Sequence, residues 1–347
     1  MTKKILPILM GVALVGGTAN AVADVVAMGH IDTSVNWADQ DGGSDTINLN
    51  CTTCSFGFKG SEDLGNGLKA IFKIDFQYDT TERNAGGSLT DRDQWLGLGG
   101  VFGQLRAGTI STVYKSHGAM LDPIYRTAQQ QRDRGLQSDL HRGAGENGQG
   151  RATNTIRYDT PAWNGLGIGG HYTLQNDNGV TNTDNPWGLG GQWKGGPFLA
   201  FADYITSDEG GDDDAWKLGG KFGMGIFSLF AQYEADMGLI SARGGNQTGD
   251  SGDGANTWML GGTATLGNSM AYFAWGHGDS GSGGSIASRY NTWQVVGTHN
   301  MSRRTMLYGG YSQIICSEQD NDVCSGIGTN SGDEDDSKLS IGMKHTF

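Results

Sequence analysis
Apolar and polar residues alternate one for one in sixteen short stretches of this chain. They fall near 24–38, 53–62, 67–79, 91–99, 103–109, 152–160, 165–176, 187–194, 197–207, 214–222, 225–236, 256–266, 269–277, 290–301, 304–315 and 337–347. A period of two is the mark of a strand with one apolar face. In 67–79, Leu68, Ala70, Phe72, Ile74, Phe76 and Tyr78 share one face, and Lys69, Lys73, Asp75, Gln77 and Asp79 share the other. In 225–236, Phe227, Leu229, Ala231 and Tyr233 oppose Ser228, Gln232 and Glu234. The connections carry a second rhythm. Short turns at 62–67, 100–102, 161–164, 195–196, 223–224, 267–268 and 302–303 alternate with long loops near 39–52, 80–90, 110–151, 177–186, 208–213, 237–255, 278–289 and 316–336. Outer-membrane barrels have short periplasmic turns, long external loops and an even strand count.

Composition narrows the choice. The 60 glycines and 5 prolines in 347 residues disfavour long helices. Mean hydropathy is negative, which excludes a helical membrane bundle. It does not exclude a barrel, since only alternate residues of each strand face lipid. A soluble sandwich or propeller would not need aromatic residues near strand ends. Trp37, Tyr78, Trp95, Tyr158, Trp187, Trp193, Tyr204 and Trp216 occupy such positions, as expected for the girdles at a bilayer surface. A propeller would also show a repeat of 20–50 residues, and none is apparent. The expected fold is all-β, a sixteen-stranded antiparallel transmembrane barrel.

The first 23 residues read as a cleaved signal peptide, with Lys3 and Lys4, an apolar run over 5–15, and Ala21-Val22-Ala23 before Asp24. The barrel domain then covers 24–347. Removing two lysines and no acid moves the net charge from -13 to -15. In 337–347, Leu339, Ile341, Met343, His345 and Phe347 oppose Lys338, Ser340, Gly342, Lys344 and Thr346. This stretch is expected to close the barrel against the first strand.

Several segments resemble the general diffusion porins of Gram-negative bacteria, of the neisserial and burkholderial type. Phe56-Gly57-Phe58-Lys59-Gly60-Ser61-Glu62-Asp63-Leu64-Gly65-Asn66-Gly67-Leu68 is similar to that family's second hairpin. Asn154-Thr155-Ile156-Arg157-Tyr158-Asp159-Thr160-Pro161 is similar to its sixth strand. Met301-Ser302-Arg303-Arg304-Thr305 and Gly342-Met343-Lys344-His345-Thr346-Phe347 resemble a late turn and the closing strand. The resemblance implies a homotrimer, located in the outer membrane. It also implies a water-filled channel for ions and small hydrophilic solutes, with the long third loop folded into the lumen. The acidic loops and four cysteines depart from the family pattern.

A sixteen-stranded barrel is wide enough for an aqueous channel, and whatever narrows it sets selectivity. The longest loop, 110–151, is the natural constriction. Lys115, Arg126, Arg132, Arg134, Arg142 and Arg151 outnumber Asp122, Asp133, Asp139 and Glu146 there. The inward residues expected to face it are His30, Asp32, Lys59, Lys73, Asp75, Arg106, Arg157 and Asp159. Of the loop residues, Arg126, Arg132, Arg134, Asp122 and Asp133 complete the pore-lining set.

The cysteines are Cys51, Cys54, Cys316 and Cys324. An even count in an exported chain points to disulfides. Local pairs Cys51–Cys54 and Cys316–Cys324 are favoured, and the cross-loop pairings stay open. The acidic stretches at 208–213 and 316–336 could reach lipopolysaccharide through divalent cations. Neither has EF-hand spacing, so no metal site is assigned. No cofactor, catalytic residue or nucleic-acid partner is expected. The seven histidines fall in no G-x-S-x-G or H-E-x-x-H context. Two alternatives remain, a closed structural or adhesin barrel and a barrel hydrolase with groups such as His117 and His141.

Overall fold
The structure, a computed structural model, describes residues 24–40, 45–81, 89–142, 150–174, 185–206, 214–236, 255–279, 289–316 and 336–347. Seventeen strand segments form one antiparallel sheet. They are β1 (Asp24–Gln40), β2 (Thr46–Cys51), β3 (Ser55–Gly65), β4 (Leu68–Gln77), β5 (Thr90–Gly100), β6 (Gly103–Ser111), β7 (Arg151–Asp159), β8 (Leu166–Thr173) and β9 (Trp187–Gly195). They continue with β10 (Phe198–Thr206), β11 (Asp214–Met224), β12 (Phe227–Asp236), β13 (Asn256–Leu266), β14 (Ser269–Asp279), β15 (Arg289–Asn300), β16 (Thr305–Cys316) and β17 (Asp336–Thr346). β2 and β3 both pair with β1, at Thr33–Ala38 and at Asp24–His30 respectively. They are two pieces of one wall strand, so the wall has sixteen. β1 also pairs with β17, from His30↔Thr346 to Gln40↔Asp336, and this seam closes the barrel.

The wall sorts residues by face, as period two requires. Leu229 and Ile341 are both 57% exposed, a waste of apolar surface in water but suited to lipid. Their alternation partners Gln232, Glu234 and Ser340 are buried inside. The outer face carries an aromatic belt in register, with Tyr204 opposite Trp216, Tyr233 opposite Trp258, and Trp275 opposite Trp293. Trp95 does not join it. It stands opposite Lys73 on the interior face, which corrects the girdle assignment for that residue.

Several boundaries differ from the sequence expectation, and two have a clear local cause. The second strand reaches back to Thr46, where a loop over 39–52 is expected. Asn48 and Asn50 made that stretch look like a polar connection, although Ile47 and Leu49 alternate with them. The turn expected at 223–224 lies two residues on, at Gly225-Ile226. Gly225 there takes φ 60, and Gly267 takes φ 58 in the turn after β13. Both sit first in a two-residue hairpin turn, where the strand twist requires positive φ.

The β2–β3 break is spanned by a disulfide between Cys51 and Cys54, with Cα atoms 5.7 Å apart. Thr53 inside it adopts φ 51. Cys324 and the side chain of Cys316 lie outside the described residues, as do residues 1–23, where the signal peptide is expected, Glu146, the acidic stretch 208–213 and nearly all of 316–336.

The connection between β6 and β7 is built differently from the others. It folds into helix α1 (Val113–Gly118) and three short 3-10 turns, Ala119–Leu121, Gln131–Arg134 and Asp139–His141. Thr112 caps α1 by accepting a hydrogen bond from the Lys115 N–H. Leu121, Ile124 and Leu136 of this connection pack on Phe201, Phe230, Met259, Tyr272, Ala274 and Val296 of β10 to β15. This is the largest apolar core among the described residues.

Candidate functional site
The interior face of β1 to β7 is a network of charges. Lys73 in β4 reaches Asp93 at 2.8 Å and Asp75 at 3.7 Å. Arg92 Nε also holds Asp75, at 3.2 Å, and Arg151 Nε holds Asp93 at 3.0 Å. Arg92 and Asp93 both turn inward because the β4–β5 register slips between Ile74 and Phe76. A bulge re-aims side chains in this way, and period-two reasoning had no means to find Arg92. One step along, Arg106 and Arg157 stand directly opposite each other. Like charges so placed repel, and Asp159 bridges the two. It pairs with Arg106 and lies 2.8 Å from Arg157 Nη2.

The β6–β7 connection meets this wall through Arg126. Its Nη1 lies 3.3 Å from His30 Nδ1, and its backbone N–H donates to Gln130 Oε1 at 3.1 Å. Arg126 holds φ 62, a left-handed conformation that a non-glycine residue keeps only when its surroundings fix it. Between Arg126 and the wall lies a cavity of about 340 Å³. His30, Lys59, Lys73, Asp75, Arg126 and Lys344 line it. Three lysines and one arginine thus face one aspartate. Lys59 is exposed and has no ion-pair partner among the described residues. Lys344, which the sequence reading left out of the set, donates to the Tyr125 carbonyl at 2.5 Å.

Other members of the expected set are used elsewhere. Asp32 accepts from the Tyr308 hydroxyl at 2.9 Å. Arg134 is buried and chelates Asp336 of β17 at 3.2 Å. Arg132 donates to the His141 carbonyl at 2.9 Å and stacks over Tyr125 at 5.1 Å. Asp133 accepts from Gln130 at 2.5 Å. These residues hold the connection together and to the wall, so they do not line the cavity.

A second buried cluster went unrecognised in the sequence. Glu234 of β12 accepts from Tyr114 Oη at 2.9 Å, Ser138 Oγ at 2.5 Å and Gln232 Nε2 at 2.6 Å, and faces His141 Nε2 at 3.2 Å. Beside it, Asp203 joins His117 at 2.6 Å and Lys217 at 3.3 Å. His117 and His141 are therefore engaged with wall carboxylates and sealed from solvent.

In the connection, burial pushes the Asp122 carboxyl up to about 7, although the N–H groups of Gln131 and Ile124 and the charges of Arg132 and Lys344 pull it down. A folded-state pKa above the unfolded one means that the folded protein holds its proton longer. Stability from this group is therefore full below the ordinary value of 3.8 and falls as pH rises toward 7. Melting wild type and Asp122→Asn in detergent across pH 4.5–8 isolates the effect. The wild type is expected to lose ground to the variant between pH 5 and 7, and a difference independent of pH would refute the assignment.

The fold and its charged interior define a bacterial outer-membrane barrel of the porin class. The sequence profile of the Gram-negative porins matches residues 9–322, and the chain belongs to that family. It is 30% identical over 200 residues to the major outer membrane protein P.IB of Neisseria meningitidis, covering 55% of this chain and 56% of that protein. It is 28% identical over 208 residues to outer membrane porin protein 32 of Delftia acidovorans, covering 58% and 56%. The chain thus spans a little over half the length of these relatives. In structure it is similar to the anion-selective porin from Comamonas acidovorans, with a TM-score of 0.76, 23% identity, and coverage of 94% of this chain and all of that one.

Proposed function
We propose that the barrel is a water-filled channel for passive diffusion of ions and small hydrophilic solutes. The connection over 110–151 forms its constriction, and anions are favoured there. The observation that carries this reading is the cavity between Arg126 and the wall, where Lys59, Lys73, Arg126 and Lys344 outnumber Asp75. Charges at a narrow passage set selectivity at short range. The porin of similar fold is itself described as anion-selective. We read acidic sequence stretches such as 208–213 as mouth loops, where salt screens charge beyond about 8 Å at physiological strength.

Single-channel recording of the refolded protein tests the reading. Discrete current steps are expected, with reversal potentials showing weak anion preference at high salt and a drift toward cations as salt falls. No steps at all would favour a closed adhesin barrel or a barrel hydrolase. Strong cation preference at every salt concentration would mean that the constriction is acidic.

A homotrimer is the second part of the proposal. Ala264, Ala271, Gly297 and Gly309 stand in register across the outer face of β13 to β16. Such a flat strip allows a neighbouring wall to approach closely, and closed symmetry is the norm for homo-oligomers. Crosslinking in mild detergent should trap a three-chain species, and a population that stays monomeric would count against it.

A further inference from the structure
All nine tryptophans of the chain lie within the described residues, and Trp95 is the one on the interior face. Its cross-strand partners fix this orientation. Trp95 of β5 is opposite Lys73 of β4, and Lys73 is opposite Lys59 of β3. Residues directly opposite share a face, and Lys73 is bound to the interior carboxylate Asp93. Leu96 and Leu98, at 64% and 40% exposed, take the outer face of β5. An indole placed in the polar interior gives up the lipid contact available to it in the outer belt.

Two neighbours of the ring are fixed by the wall. The guanidinium carbon of Arg106 sits 5.2 Å from the ring centroid, within cation–π range. On the β6 side the partner of Trp95 is Gly108. Gly108 has φ 142, and a Cβ there would come within 2.2 Å of the Gln94 carbonyl oxygen and 2.9 Å of Trp95 Cα. That position is held to backbone alone. Thus one row of the wall carries an ammonium with no ion-pair partner among the described residues, an ammonium shared with Asp93, an indole, and then bare backbone. Neighbouring strands are about 4.8 Å apart, so the Lys59 and Trp95 backbones are about 10 Å apart, with Lys73 between them.

We propose that this row is a subsite for aromatic monocarboxylates of the benzoate class. The ring of the solute lies against Trp95, and its carboxylate is taken by Lys59 with Lys73 beside it. Recognition needs both features, since the indole alone would favour any planar ring and the ammonium groups alone any small anion. The proposal rests on the channel reading, because solutes must reach the interior.

The test is single-channel recording of the full protein in KCl with benzoate, cyclohexanecarboxylate or benzyl alcohol added, each block normalised to that variant's own open current. Benzoate is expected to block at a concentration about fivefold lower than cyclohexanecarboxylate, as an aromatic ring pair provides, and benzyl alcohol is expected not to block in that range. Trp95→Leu should abolish the fivefold preference, Trp95→Phe should keep most of it, and Lys59→Gln should weaken benzoate block severalfold. Equal block by the two carboxylates in wild type, or an unchanged preference in Trp95→Leu, overturns the subsite. If KCl alone gives no current steps, the channel reading fails separately. Saturation-transfer NMR of benzoate on detergent-solubilised wild type and Trp95→Leu then decides the subsite, with equal signals overturning it.

Discussion

Replacing Glu234 with alanine is expected to free the connection over 113–142 from the wall and expose it to protease. The wild-type carboxylate is fully buried and receives hydrogen bonds from Tyr114, Ser138 and Gln232. The Ser138 backbone N–H adds another at 3.1 Å, and His141 lies 3.2 Å away. Alanine leaves all of these groups buried without their acceptor. Removing one member of a buried charged cluster costs about 3–5 kcal/mol. The loss falls on one local unit, so it should appear as local opening before the barrel melts. A cost of that size raises the open population roughly 200- to 5,000-fold. Trypsin should then cut at Arg126, Arg132 or Arg134 in the variant, and mass spectrometry of the fragments locates the cuts. Identical digestion of variant and wild type would show that Glu234 does not anchor the connection.

The second large effect is expected at the seam. Gly29 and Phe347 exchange both backbone hydrogen bonds, at 3.1 and 3.0 Å. A Cβ at Gly29 would lie 2.3 Å from the Ser55 carbonyl oxygen and 2.6 Å from the Phe347 ring. The ring could move, but the carbonyl belongs to the β1–β3 ladder and cannot. Gly29→Val should therefore cost about 2–3 kcal/mol, in the range of core overpacking. Phe347→Ala should cost less, because it keeps the backbone pairing. Folded yield and melting temperature of both variants, measured in detergent, check the ranking. A Gly29→Val barrel as abundant and as heat-resistant as wild type would show that the seam is not packed this way.

Period-two alternation carried most of the fold. It fixed the phase of 68–77 and of the closing strand, where Lys338, Ser340 and Lys344 share one face as read, opposite the exposed Leu339, Ile341 and Met343. It failed where local chemistry imitated a different element. Asn48 and Asn50 disguised β2 as a loop. Trp95 was assigned by residue type, although Leu96 and Leu98 already fix its phase as inward. The charged interior was legible only in part. Lys59, Lys73, Asp75, His30 and Arg126 do come together around one cavity. Lys344 was placed on the polar face of the closing strand but was not connected with them. The clusters around Glu234 and Asp203 were invisible because alternation reports a face and not what lies across from it. Glu234 meets Tyr114 and Ser138 from the other end of a long connection, and no spacing in the sequence records such a meeting.

The β1–β17 seam bears on how the chain reaches its native state. His30 pairs with Thr346, more than 300 residues away, while every other wall pairing joins neighbours in sequence. Contacts this distant form slowly, because chain entropy must be surrendered before they return anything. For a loop of that size the closure term is about 5 kcal/mol. Fifteen hairpin contacts can assemble locally and in order, but the sixteenth requires both ends of the sheet at once. Until then the intermediate is an open sheet with two unpaired edges, each able to template pairing with another chain. The eleven register pairs between His30 and Gln40 convert that sticky intermediate into a closed wall. The hazard in assembling this protein is therefore concentrated in one late step, and crowding of unfinished sheets should divert the chain into aggregates there.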